Sequence, residues 1–191
     1  MARSALSRGR KKGALEGRTL VFVDEAGFYL LPAAVATYAP VGETPVLRER
    51  LTHDHLSAIS AVTPDGALRM QVYEETITGA HVVRFLKHLV ARLPGGRFWI
   101  FWDGAPIHRS QAVKQFLATV PADRFRIEAL PGYAPDLNPD EGVWDQLKND
   151  ELANVSCLDL RELRAEVRAG KQRLQRQPEV VRGFFREAGY G

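Results

Sequence analysis

Phe98–Trp102 reads Phe-Trp-Ile-Phe-Trp, five consecutive apolar residues of which four are aromatic. An amphipathic helix shows a single apolar stripe, and a half-exposed strand alternates. A run with no polar member belongs to a strand covered on both faces. Before it, Val82, Phe85, Leu86, Leu89, Val90 and Leu93 recur at helical spacing, and Pro94-Gly95-Gly96 ends the stretch. After it, Ser110 is placed to cap a helix whose inner face is Val113, Phe116, Leu117 and Val120. Phe125–Leu130 then reads as another strand, ended by Pro131-Gly132. Segments 79–93 and 110–120 have the length of crossover helices, which parallel strands require.

The remaining elements fit around this core. Thr19–Asp24 is a β-branched and aromatic run, a buried strand that ends at Asp24 and Glu25. Phe28–Leu31 reads as a second short strand stopped by Pro32, and residues 37–50 as an irregular hairpin. Leu56–Thr63 and Ala67–Glu74 flank Pro64-Asp65-Gly66, a turn signal that makes them an antiparallel pair. Asn138-Pro139 opens a helix with Val143, Trp144 and Leu147 inside. Leu158–Ala188 reads as two basic helices broken near Gln177-Pro178. The sum is an α/β chain, a mixed sheet with helices on its faces. Residues 1–18 read as a basic flexible lead-in, 19–155 as the main domain, and 156–191 as its C-terminal helical extension.

Hydrophobic residues make up 45% and charged residues 26% of the 191, a globular balance that excludes wholesale disorder. Cys157 is the lone cysteine, so neither an internal disulfide nor a zinc–thiolate cluster is available. No apolar run approaches the ~20 residues of a membrane span. The net charge of +3 is unevenly spread: residues 1–18 carry +5 and 161–191 carry +4, leaving −6 for the middle. Basic ends around an acidic centre suit an enzyme that holds cations and binds phosphates. A solvated helix face and a frayed basic terminus give the same numbers.

Three acids stand at element boundaries. Asp24 ends the first strand and Asp103 follows the apolar run. If those strands are parallel neighbours, the two carboxylates lie side by side where sites gather in an open α/β sheet. Glu141, in the first turn of a later helix, can pack over the same edge. Clustered acids without a Lys repel one another unless a hard cation such as Mg²⁺ neutralises them. Each also has a plainer role. Asp24 and Asp103 can be turn acids, and Asn138-Pro139-Asp140-Glu141 fits a capping box in which Glu141 bonds back to the helix start.

Three blocks, VFVDEAGFYLLP (21–32), FWDGAPIHRSQAVKQFL (101–117) and LPGYAPDLNPDEGVWDQLK (130–148), together resemble the DDE endonuclease domain of bacterial insertion-sequence transposases related to the mariner superfamily. The third, with its Leu-Asn-Pro-x-Glu-x-x-Trp core from Leu137 to Trp144, is the most specific. The closing Phe184-Phe185…Gly189-Tyr190 also looks like this family's end. The resemblance implies a ribonuclease H-like mixed sheet of about five strands, the first three antiparallel, as in retroviral integrases. It implies Asp24, Asp103 and Glu141 as a metal-binding triad for two Mg²⁺ or Mn²⁺ ions, with Asp24 bridging both. It implies hydrolysis of phosphodiesters at transposon ends, then attack of the freed 3′-hydroxyl on target DNA. A homodimer on paired DNA ends, in the bacterial cytoplasm at the nucleoid and with no membrane association, is implied as well.

Two departures stand out. Asp103 and Glu141 are separated by 37 residues, slightly more than in mariner relatives, which points to a longer loop near Pro131–Asp136. Only 23 residues precede Asp24, too few for the N-terminal helix-turn-helix module of such enzymes. End recognition is therefore expected in a separate part, as in a split reading frame or a truncated relic. Of the supporting residues, His108 either touches phosphate, orients a carboxylate or helps cap the next helix. Arg109 and Asn138 are further candidates for DNA contact or support. Trp144 reads as core packing and Glu25 as a surface acid. Two other functions stay open: a non-catalytic DNA-binding relic, and a ribonuclease H-like nuclease for another substrate.

Overall fold

The computed structural model describes residues 16–31, 39–43, 52–93, 96–132 and 135–190. Five strands form one sheet: β1 (Thr19–Tyr29), β2 (His55–Val62), β3 (Leu68–Tyr73), β4 (Phe98–Trp102) and β5 (Phe125–Ala129), in the order β3-β2-β1-β4-β5. β1 to β3 are antiparallel neighbours, whereas β1–β4 and β4–β5 are parallel. The crossovers are α1 (Gly79–Arg92) and, after a 3₁₀ turn at Pro106–Arg109, α2 (Gln111–Thr119). The Ser110 side chain accepts from the Val113 N–H, as its place at the N-cap requires. α3 (Glu141–Asp145) runs into a π-helical stretch, Gln146–Glu151, followed by α4 (Leu160–Gln175) and α5 (Pro178–Glu187).

Sheet pleating divides the interior in two, because successive strand residues face opposite sides. Val21, Val23, Phe98, Ile100 and Trp102 face α1 and α2, where Val82, Phe85, Leu86, Leu89 and Val113 meet them. Leu20, Phe22, Trp99 and Phe101 face the C-terminal helices and pack on Val143, Trp144, Leu147, Val167, Val181 and Phe185. Phe22 stacks on Phe101 at 4.8 Å and meets Phe185 edge-on at 5.4 Å. Both strands of the pair are therefore locked to α5 through one aromatic cluster. α4 and α5 complete the same core as the sheet. This is the ribonuclease H-like mixed sheet, with β1 to β3 antiparallel as expected.

Several local expectations are corrected. Thr19–Asp24 and Phe28–Leu31 are not two strands: β1 is continuous from Thr19 to Tyr29. Ladder pairing with β2, from Phe22↔Val62 to Tyr29↔His55, carries it across Ala26-Gly27. Asp24 thus lies mid-strand instead of at its end. Asn138-Pro139 does not open the helix; residues 138–140 make a turn in which Glu141 N–H donates to the Asn138 carbonyl, and α3 begins at Glu141. Of the expected hairpin at 37–50, residues 39–43 are described and form a turn, while the rest lies outside the described residues, as do Pro32 and Pro94-Gly95. The lead-in of 1–18 is described only from Glu16. There Arg18 donates to the Asp123 carbonyl and Glu16 pairs with Arg126.

Candidate active site

β1 outruns β4. Their last paired residues are Phe22↔Phe101, so two steps further along each parallel strand stand Asp24 and Asp103. Even residues of β1 and odd residues of β4 share the face covered by α3 to α5, which sets Asp24 toward that layer. Glu141 comes in from that layer at the first position of α3. The start of α3 is held close to α5, because Phe184 lies against Gly142 so tightly that a Cβ there would fall 2.6 Å from its ring. Asp24, Asp103 and Glu141 line one open cleft of about 510 Å³, together with Gly104, Leu130, Pro131, Pro135 and Asn138.

The electrostatics of the three differ. Asp24 is largely buried, and burial above all, then the negative charge of Glu141, pushes its carboxyl from 3.8 up to about 7. A backbone N–H at Glu25 and the Trp144 indole pull the other way. That indole Nε1–H donates to Asp24 Oδ2 at 3.1 Å, so Trp144 packs edge-on against Phe28 and also holds the carboxylate. Asp103 is exposed, and its Oδ1 accepts the Ala105 N–H at 2.9 Å. The side chain of Glu141 lies in the open, at the cleft. Among the described hydrogen bonds, the capping-box bond from Glu141 back to the helix start is not one; the N-cap Asp140 makes no side-chain cap bond either.

Behind Glu141 sits a residue that sequence reasoning passed over. Asp140 is fully buried, and its Oδ1 accepts the Ser60 hydroxyl at 2.6 Å. Burial first, then the charge of Asp24, holds its carboxyl well above the usual range. Ser60 is the β2 residue paired with Asp24, which is why the Asp140 side chain reaches the sheet beside it. The signal available was the alternation of β2, where Ser60 is the polar member on an apolar face.

The supporting candidates separate. Asn138 is buried and its Oδ1 accepts the Asp140 N–H, so it shapes the turn before α3. Arg109 is exposed and donates to the Gly104 carbonyl, closing the loop after β4. His108 is buried and stacks on Trp102 at 4.3 Å and 11°. Its Nε2 stands 3.0 Å from Asp103 Oδ1 and 3.4 Å from Glu25 Oε2. Glu25, read from sequence as a surface acid, is mostly buried, its side chain 17% exposed.

Residues 19–164 match the DDE superfamily endonuclease family. The chain belongs to the DDE superfamily endonucleases. No curated protein matches it significantly. Among solved structures, it is similar to the Mos1 transposase in its paired-end complex with the left transposon end, with a TM-score of 0.63 at 17% identity over 99% of this chain and 61% of that one. The catalytic domain of Mos1 mariner transposase aligns with a TM-score of 0.59 at 16% identity, over 98% of this chain and 90% of that domain. A chain of the simian T-cell lymphotropic virus intasome, solved with a PP2A regulatory subunit, aligns with a TM-score of 0.50 at 13% identity, over 81% and 48%. At these identities the likeness is one of fold, and the chain spans about three fifths of the full Mos1 chain. Among the described residues, no helix is long and apolar enough to cross a membrane.

Proposed function

We propose that this DDE endonuclease chain is the catalytic domain of a cut-and-paste DNA transposase, with Asp24, Asp103 and Glu141 as its metal-binding and catalytic residues. One observation carries the reading: three acids from β1, the end of β4 and the start of α3 line a single open cleft in a chain of this family. The donor set fits Mg²⁺ or Mn²⁺, since it is made of oxygens, and Asp24 is a largely buried acid that feels the charge of Glu141. The similar Mos1 mariner paired-end complexes have been solved with Mn and with Mg.

In this reading Asp24, fixed in the sheet and by the Trp144 indole, would hold metal together with Asp103 and Glu141. Bound ions would supply charge stabilisation for in-line displacement at a phosphodiester and activate the attacking oxygen. The substrates are DNA: hydrolysis at transposon ends, then strand transfer of the 3′-hydroxyl to target DNA. End recognition by a separate helix-turn-helix part, action as a homodimer and a place at the bacterial nucleoid belong to the same proposal. The basic residues of α4 and α5 suit phosphate contact.

The test is nicking of supercoiled DNA with Mn²⁺. Asp103→Asn, Asp24→Asn and Glu141→Gln each abolish it while salt-sensitive DNA binding persists. Full nicking by Asp103→Asn would overturn the assignment. DNA binding with no nicking by the unaltered chain would favour a non-catalytic protein. Preference for an RNA–DNA hybrid over duplex DNA would move the substrate away from transposition.

A further inference from the structure

Glu25, Asp103 and His108 come from three separate local structures. Glu25 is on the odd side of β1, facing away from Asp24; Asp103 follows β4; His108 is in the 3₁₀ turn. One donor atom from each lies within 4.8 Å of the others. We propose that these three residues form a second cation site, apart from the Asp24–Asp103–Glu141 set although it shares Asp103, and that it takes a transition ion such as Mn²⁺ or Zn²⁺.

His108 is 4% exposed, and neither Nδ1 nor Nε2 finds a hydrogen-bond partner among the described residues; Glu25 Oε1 is buried without one too. Yet Nε2 is only 3.0 Å from Asp103 Oδ1 and 3.4 Å from Glu25 Oε2. Those contacts are close enough for ion pairs, but neither meets hydrogen-bond geometry. Donors bound side by side on one ion, each about 2.1 Å from it, are separated by roughly 3.0 Å at octahedral and 3.4 Å at tetrahedral angles. In that case the ring nitrogen points at the ion and the oxygens lie beside it. Two carboxylates converging on one largely buried place repel each other, and a cation held between them and the ring nitrogen offsets that repulsion.

The site is also prepared. Stacking on Trp102 fixes the ring plane, and the Ala105 N–H holds Asp103 Oδ1 from the far side. One nitrogen with two oxygens is a donor set that Mn²⁺, Fe²⁺ and Zn²⁺ accept readily, whereas Mg²⁺ prefers oxygen alone. An ion there ties β1 to the loop after β4 and fixes the orientation of Asp103, which also lines the carboxylate cleft. The assignment stands on its own geometry and does not require the chain to be a transposase.

The experiment is Mn²⁺ titration of the full chain, followed by pulsed EPR for imidazole-nitrogen coupling to the bound ion. Coupling is expected in the unaltered chain and in the Asp24→Asn, Glu141→Gln double variant, and excess Mg²⁺ leaves it in place. His108→Gln is expected to lose it. Glu25→Gln, which keeps the ring, is expected to weaken Mn²⁺ binding roughly 10- to 100-fold at this site. If His108→Gln does not fold, Glu25→Gln and the double variant still decide the matter. Bound Mn²⁺ without nitrogen coupling, or coupling that survives His108→Gln, overturns the site. Coupling lost in the double variant also overturns it as a separate site, because the histidine would then serve the triad's ion. Nicking lost by Asp24→Asn while coupling remains tells the two proposals apart.

Discussion

Asp24 and Glu25 are consecutive acids on one strand, and the pleat sends them into different surroundings. On the Asp24 side, α3 adds Asp140 and Glu141, so acid meets acid and two carboxyls are pushed up by burial and mutual charge. On the Glu25 side, the 3₁₀ turn adds a buried imidazole. The first face stores repulsion that a cation relieves. The second mixes acid with nitrogen and leaves Nε2 between two oxygens. The same dipeptide therefore meets two kinds of surroundings, and the covering element decides which.

The largest effect expected is a pH dependence of stability that arises on the Asp24 side. Asp24 titrates near its ordinary 3.8 when unfolded and at about 7 when folded. Between those values the folded state binds the extra proton, so the Asp24 contribution to metal-free stability falls as pH rises from about 4 to about 7 and levels off above. The loss from Asp24 is about 4 kcal/mol at most, and Asp140 shifts in the same direction. Thermal melts in chelator across that range should show the decline. Asp24→Asn should remove the Asp24 part of it, and Mn²⁺ should counter it by favouring the charged form. A metal-free melting temperature that climbs from pH 4 to 7 would break the contrast.

A smaller effect concerns what anchors the acidic face. Ser60→Ala removes the hydroxyl that donates to Asp140 and leaves that carboxyl buried without it. The expected cost is about 1–3 kcal/mol in urea unfolding. Because Asp140 immediately precedes Glu141, nicking should fall along with stability. The imidazole-nitrogen coupling at His108 should not change, since Ser60 lies on the other face. A variant as stable as the unaltered chain would mean that Asp140 finds another donor.

These partners explain which parts of the molecule were legible in the sequence. The apolar run of β4, the helical spacing of α1 and the Pro64-Asp65-Gly66 turn are local signals, and each matched its element. The continuity of β1 was not local: Ala26-Gly27 looks like a break, and only ladder bonds to Ala58 and Ser57 carry the strand through. The same holds for Asp140. In sequence it belongs to a capping-box pattern, while its burial comes from Ser60, 80 residues earlier. The cleft acids were found through the three motif blocks. Strand parity alone could have placed Asp24 and Glu25 on opposite faces, but nothing in the spacing of Asp103 and His108 announces that the ring turns back onto Trp102. The π-helical stretch after α3 left no readable signal either.

The smallest expected effect tests whether Asp24 is held by its own face as firmly as Asp103 is by the other. Trp144→Phe keeps an aromatic ring against Phe28 and deletes the indole N–H that donates to Asp24. A lost bond to a carboxylate costs about 1–3 kcal/mol when the acid is charged and less when it is neutral. At pH 5, where Asp24 is mostly protonated, the variant should therefore melt nearly as the unaltered chain does, with the difference opening above pH 7. An equal loss at both pH values would assign Trp144 to packing alone. A loss confined to high pH makes it the counterpart of the Ala105 N–H on Asp103, a donor that holds one cleft carboxylate in place.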